Sequence, residues 1–166
     1  MLHKVSIAAM AMDTASNTPV ITLKSEEDGQ TISIWVGLLE ATAIASVLQR
    51  IRFERPMTHD LFKNFTELLN FKVSKVEICD LKDNTFYSRI YFTSEDRTLS
   101  LDARPSDAIA IALRYGAPMY VDNDVIVKSK TDEKIPGEAV DKSEEGKKWA
   151  EYLENLPPEE FGKYKV

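Results

Sequence analysis

One pattern occurs twice in this chain, and it constrains the fold more than any other feature. Ile21 through Glu27 superposes on Ile90 through Asp96, matching Ile with Ile and Ser25-Glu26-Glu27 with Ser94-Glu95-Asp96. After a two-residue deletion, Thr31-Ile32-Ser33-Ile34 lies over Thr98-Leu99-Ser100-Leu101 and Glu40 lies over Asp107. Ala41, Ala43, Ile44 and Ala45 then lie over Ala108, Ala110, Ile111 and Ala112. Each copy runs from period-two alternation into an Ala/Ile-rich stretch of helical spacing, so each reads as a β-β-β-α unit. An internal duplication of that unit predicts an α+β fold, with a mostly antiparallel sheet packed against helices.

The first unit has predicted strands near Lys4 to Met10, Pro19 to Lys24 and Thr31 to Val36, then a helix over Leu38 to Arg50. A second helix is expected from Thr58 to Asn70, with Leu61, Phe62, Phe65, Leu68 and Leu69 as its buried stripe. Strands follow near Lys75 to Leu81, Thr85 to Thr93 and Arg97 to Asp102. Alternation sends Leu99 and Leu101 to the core face and Asp102 to the opposite one. Pro105 pre-sets φ for a first helical position and pushes Arg104 into an extended conformation, so the next helix starts there and ends at Gly116 and Pro118. Met119-Tyr120-Val121 and Val125-Ile126-Val127 read as a last strand or hairpin. The expected domain covers residues 1–128. Residues 129–166 read as a polar linker, a C-terminal amphipathic helix from Ser143 carrying Trp149, Tyr152, Leu153 and Leu156, and a charged tail.

Composition narrows the chemistry. Cys79 is the only cysteine, and His3 and His59 are the only histidines, which excludes an internal disulfide and argues against zinc clusters. Any metal would be a hard cation such as Mg²⁺ or Mn²⁺ on oxygen ligands. The N-terminus lacks a signal-peptide pattern and no run reaches the length of a membrane span, so a cytoplasmic protein is expected. A net charge of -6 argues against coating nucleic acid through bulk electrostatics. However, all seven arginines lie between Arg50 and Arg114, and the guanidinium suits phosphate or carboxylate better than lysine does. An anionic ligand is therefore expected at the middle of the chain.

Four features carry candidate chemistry. Asp102, Arg104 and Asp107 crowd one strand-to-helix corner, where the two carboxylates can share a divalent ion, or Arg104 can neutralise one of them; the residues favour the ion pair. Glu40 has the equivalent helix-start position and is explained by the helix dipole. At Arg55-Pro56-Met57-Thr58-His59-Asp60, His59 is the imidazole placed for proton transfer. Neighbouring helical residues diverge, so Asp60 is a doubtful partner for it, and capping by Thr58 and Asp60 is an equal explanation. The run Arg50-Ile51-Arg52-Phe53-Glu54-Arg55 suits a nucleic-acid strand, with dipole pairing at a helix end as the preferred explanation. Tyr87, Arg89 and Tyr91 share one strand face, which suits a protein interface first and a nucleic-acid platform second.

Ile34-Trp35-Val36-Gly37 with Glu40-Ala41-x-Ala43-Ile44, Arg55-Pro56-x-Thr58-His59-Asp60-Leu61, Phe86-Tyr87-x-Arg89, and Leu101-Asp102-Ala103-Arg104-Pro105-Ser106-Asp107-Ala108-Ile109-Ala110 together resemble the bifunctional nuclease domain family, described for DNA- and RNA-degrading activity. The likeness covers about residues 3 to 128. It implies a duplicated three-strand-plus-helix domain that forms homodimers and hydrolyses phosphodiester bonds. On the matched positions the expected catalytic residues are Asp102, Asp107, His59 and Arg104, with Asp102 and Asp107 as metal ligands for Mg²⁺ or Mn²⁺. Arg55, Arg89, Tyr87 and Tyr91 are the expected contacts to DNA or RNA. The other reading is a non-catalytic dimeric binding or regulatory module.

Overall fold

A computed structural model describes residues 1–131. β1 (Leu2–Asp13), β2 (Thr18–Ser25) and β3 (Thr31–Trp35) form an antiparallel meander that leads into α1 (Leu38–Leu48). After α2 (Thr58–Leu68), a second meander of β4 (Lys72–Lys82), β5 (Thr85–Thr93) and β6 (Thr98–Ala103) leads into α3 (Pro105–Tyr115). β7 (Met119–Asp122) then inserts between the meanders, antiparallel to β1 and parallel to β4, and α4 (Asn123–Thr131) follows. The result is one seven-stranded sheet in the order β3-β2-β1-β7-β4-β5-β6, an α+β architecture as expected.

Local chemistry explains where the elements stop. Asp83 and Asn84 both hold positive φ, at 47° and 60°, and form the two-residue turn whose twist suits a hairpin. Gly116 closes α3 at φ 63°, a left-handed position that costs glycine least. Pro105 begins α3 as expected, with Arg104 extended at its N-cap.

Register sorts the sheet into two faces. Leu101, Ile90, Val76, Met119 and Val5 are successive cross-strand neighbours on one face. Among the described residues the buried apolar side chains form one cluster, which joins this face to Ile44 of α1, Ala108 to Ala112 of α3, and Val125 and Ile126 of α4. On the other face Asp102, Arg89, Glu77, Tyr120 and Lys4 are neighbours in the same way. Opposite charges thus alternate across three strands of this face, a favourable cross-strand arrangement. Glu77, though buried, accepts the Tyr91 hydroxyl at 2.6 Å and pairs with Lys75.

Three expectations need correction. Leu99 and Leu101 do point to the core face, opposite Phe92 and Ile90, but they are 44% and 49% exposed because β6 is an edge strand. The α2 stripe is also not buried: Leu61, Phe65, Leu68 and Leu69 are all exposed. α2 packs instead through Phe62, edge-on to Phe92 at 6.0 Å between ring centroids, and through Thr66, whose hydroxyl meets that of Tyr115. Periodicity locates an apolar stripe, but not what covers it. Finally, Val125-Ile126-Val127 is helical, lying in α4 rather than a strand. α4 runs past the expected boundary at 128, and the C-terminal helix expected from Ser143 lies outside the described residues. No helix among the described residues is long and apolar enough to cross a membrane.

Candidate active site

α1, α2 and α3 meet around a cleft of about 320 Å³ lined by Glu40, Thr58, His59, Arg104, Asp107 and Arg114 among others. Asp107 sits in the first turn of α3, and His59 in the first turn of α2. His59 Nε2 lies 2.9 Å from Asp107 Oδ1. Arg104 Nε donates to Asp107 Oδ2 at 2.7 Å, and Arg104 Nη2 lies 2.8 Å from Glu40 Oε1. One guanidinium therefore ties the start of α1 to the start of α3. Of the two acids expected to compete for Arg104, Asp107 holds it, and His59 has found a carboxylate distant in sequence rather than its neighbour.

Asp60 serves elsewhere. Its Oδ2 accepts the Met57 N–H at 2.9 Å, capping α2, and its Oδ1 accepts Arg114 Nε at 2.6 Å. Arg114 Nη1 also donates to the carbonyls of Ala43 and Ala110, each at 3.0 Å. Arg114 thus binds α1, α2 and α3 together directly beneath the cleft. The sequence reading missed both Arg114 and the role of Glu40; the alignment of Glu40 on Asp107 was the signal for the latter.

The electrostatics are set by these contacts. Burial alone would raise the Asp107 carboxyl, but hydrogen bonds and charge from His59 and Arg104 outweigh it and hold it below its ordinary value of 3.8. Its hydrogen bond to Asp107 holds Arg104 more firmly protonated than a free guanidinium, against the opposing effect of burial. A lowered carboxyl stabilises the fold fully above its unfolded value and loses that contribution as pH falls through the folded one. The stability difference between wild type and Asp107→Asn should accordingly shrink as pH falls below about 4, as measured by urea midpoints across the acid range.

The remaining expected residues lie elsewhere. Asp102 is exposed on the uncovered sheet face beside Arg89 and is not among the cleft's lining residues. Tyr87, Arg89 and Tyr91 alternate with the buried Phe86, Ser88, Ile90 and Phe92, so they share that uncovered face too. Arg89 donates to Ser100 Oγ at 3.1 Å. Arg55 borders a neighbouring hollow. Among the described residues no group of three or more His, Cys, Asp and Glu is placed to hold a metal ion. Both oxygens of Asp107 already accept from N–H groups, so this donor set does not fit Mg²⁺ or Mn²⁺.

A larger hollow, of about 880 Å³, lies at the α2–β4 turn and the β5–β6 hairpin. Its wall carries Glu67, Glu95 and Asp96 against Lys72 and Arg97 and contains no imidazole, so it is the poorer seat for proton transfer or for an anion. Gly37 marks how closely the smaller cleft is built. A Cβ there would come within 2.2 Å of Glu40 Oε2. Gly37→Ala should displace the Glu40 carboxylate from Arg104 while leaving backbone strain unchanged, since φ is -66°. A crystal structure of the variant checks this directly.

Together, the meander-plus-helix halves and the cleft between their helices define an α+β protein with an imidazole–carboxylate pair and a guanidinium gathered in one pocket. The chain belongs to the bifunctional nuclease domain family, whose sequence pattern matches residues 21–134. It is 34% identical to an uncharacterized protein of Mycobacterium tuberculosis over 96% of this chain and 98% of that relative. It is also 35% identical to bifunctional nuclease 1 of Oryza sativa subsp. indica, over 57% of this chain and 30% of the rice protein. Bifunctional nuclease 1 of Arabidopsis thaliana matches at 24% over 62% of this chain and 33% of its own length.

Proposed function

We propose that this chain is a nuclease that hydrolyses phosphodiester bonds of DNA and RNA in the His59 cleft. The observation that carries the reading is the convergence of His59, Asp107 and Arg104 in one solvent-reachable hollow; the names of the plant relatives support it. The Asp107 carboxylate orients the imidazole through Nε2, and Nδ1 has no partner among the described residues. Nδ1 takes a proton from the attacking water as the new P–O bond forms. Arg104 keeps further N–H groups for a non-bridging phosphate oxygen and for the charge that builds there. The ester bond breaks to a phosphomonoester, and the leaving oxygen takes its proton from solvent.

The test is cleavage of single-stranded DNA and RNA by wild type, Asp107→Asn and Asp102→Asn, each with Mg²⁺, Mn²⁺ or EDTA. The proposal expects Asp107→Asn to lose cleavage, Asp102→Asn to keep it, and EDTA to spare it. Equal cleavage by both variants would overturn the assignment. Homodimer formation and a cytoplasmic setting belong to the same proposal. The exposed Leu61, Phe65 and Leu68 of α2 are the surface a second copy would cover, in a nuclease and in a non-catalytic dimeric module alike. No cleavage by a folded, dimeric wild type would select that module.

A further inference from the structure

A second hollow, of about 350 Å³, adjoins the cleft and shares Ser46, Phe53 and Arg114 with it. Its outer wall is the loop between α1 and α2, which contributes Arg52 and Arg55. Both ends of that loop are fixed. At the α1 end Arg50 turns at φ 56°, with the Ile51 N–H on the Ser46 carbonyl at 2.8 Å; at the α2 end Asp60 caps Met57.

The charges on this loop are not accounted for by the fold. The last turn of α1 contains no basic residue, and Arg52 and Arg55 lie beyond its end at Leu48, so the dipole explanation favoured from the sequence does not apply to them. Neither makes an ion pair or hydrogen bond among the described residues. In contrast, Arg104 and Arg114 are both held by carboxylates. Of the acids in this wall, Asp60 is already taken by Arg114 and Met57, leaving Glu54 as the opposing charge.

From this we infer that the α1–α2 loop is a flanking-phosphate subsite. It rests on the nuclease reading of the adjoining cleft and extends it to a substrate class. Arg52 and Arg55 grip a backbone phosphate of a single-stranded polynucleotide next to the phosphate at Arg104, and Phe53, at the boundary of the two hollows, stacks on a base. Stacking of this kind needs an unpaired base, so the subsite selects single strands.

The experiment measures binding of a short fluorescent single-stranded oligonucleotide by anisotropy as a function of salt, alongside hydrolysis of bis(p-nitrophenyl) phosphate, which has no flanking phosphate. Each lost phosphate contact lowers the slope of log affinity against log salt by about 0.7 on a single strand. The double variant Arg52→Ala/Arg55→Ala, which loses one phosphate, should therefore bind more weakly with a slope shallower by ~0.7, and its loss of hydrolysis should be larger on the oligonucleotide than on the small ester. Phe53→Ala should bind about 10-fold more weakly with the slope unchanged. A double variant at the larger hollow, Lys72→Ala/Arg97→Ala, removes the same charge and should leave the slope as it is.

An unchanged slope in Arg52→Ala/Arg55→Ala, or an equal loss in the Lys72→Ala/Arg97→Ala control, overturns the subsite. If wild type binds with the expected slopes but hydrolyses neither substrate, the nuclease reading fails and the subsite stands.

Discussion

His59→Ala is expected to lower the rate of strand cleavage about 100-fold or more, the usual scale for losing a positioned acid–base group. Stability should change little. The imidazole sits at the rim of the cleft, its side chain 16% exposed, and its hydrogen bond is to Asp107, which keeps Arg104 as a partner. Because His59 and Asp107 act as one unit, His59→Ala combined with Asp107→Asn should be scarcely worse than His59→Ala alone. Single-turnover cleavage of a labelled strand checks the rate, and circular dichroism checks the fold. Full activity in a folded His59→Ala protein would remove the imidazole from the mechanism.

Arg114→Ala is the substitution expected to harm the fold most. The guanidinium is 5% exposed and satisfies three groups on three helices: Asp60 of α2, the Ala43 carbonyl of α1, and the Ala110 carbonyl of its own helix. Truncation removes a buried guanidinium and its two carbonyl hydrogen bonds, while Asp60, 36% exposed, turns to water, so the cost is about 2 kcal/mol. That corresponds to a fall in Tm of about 6 °C for a domain of this size. Arg114→Lys should recover less than half, because a single ammonium cannot reach both the carboxylate and the carbonyls with the same planar fork. Thermal melts of the three proteins measure this. Since α2 also carries His59, cleavage per folded molecule should fall as well.

What was legible in the sequence and what was not follow from the range of the interactions. That Arg104 pairs with an acid of its own corner was legible because Pro105 fixes a helix start there, while the choice of Asp107 over Asp102 was left open. The strand faces were legible because alternation is local, as Tyr87, Arg89 and Tyr91 show. The partner of His59 was not legible, since Asp107 is 48 residues away and only the docking of α2 on α3 joins them. Asp60 and Arg114, 54 apart, pose the same problem. Glu40 was explained away by a helix dipole that is real but incomplete, because its second partner lies in the other half of the chain. Leu61 and Phe65 show the converse error, a true apolar stripe assigned to a core that it does not face. Val125 to Val127 looked like a strand from β-branched propensity, which tertiary context overrides.

The position of β7 has a consequence for the order of events during synthesis. The segment that bridges the two meanders emerges after both of them, so β1 and β4 have no common neighbour until Met119 to Asp122 is free to pair with each. Each meander can form as soon as its own turns are made, but the sheet stays in two pieces until nearly all of the described chain has left the ribosome. Such long-range closure is slow, and it leaves the facing edges of β1 and β4 open to other strands in nascent chains that stop short of β7.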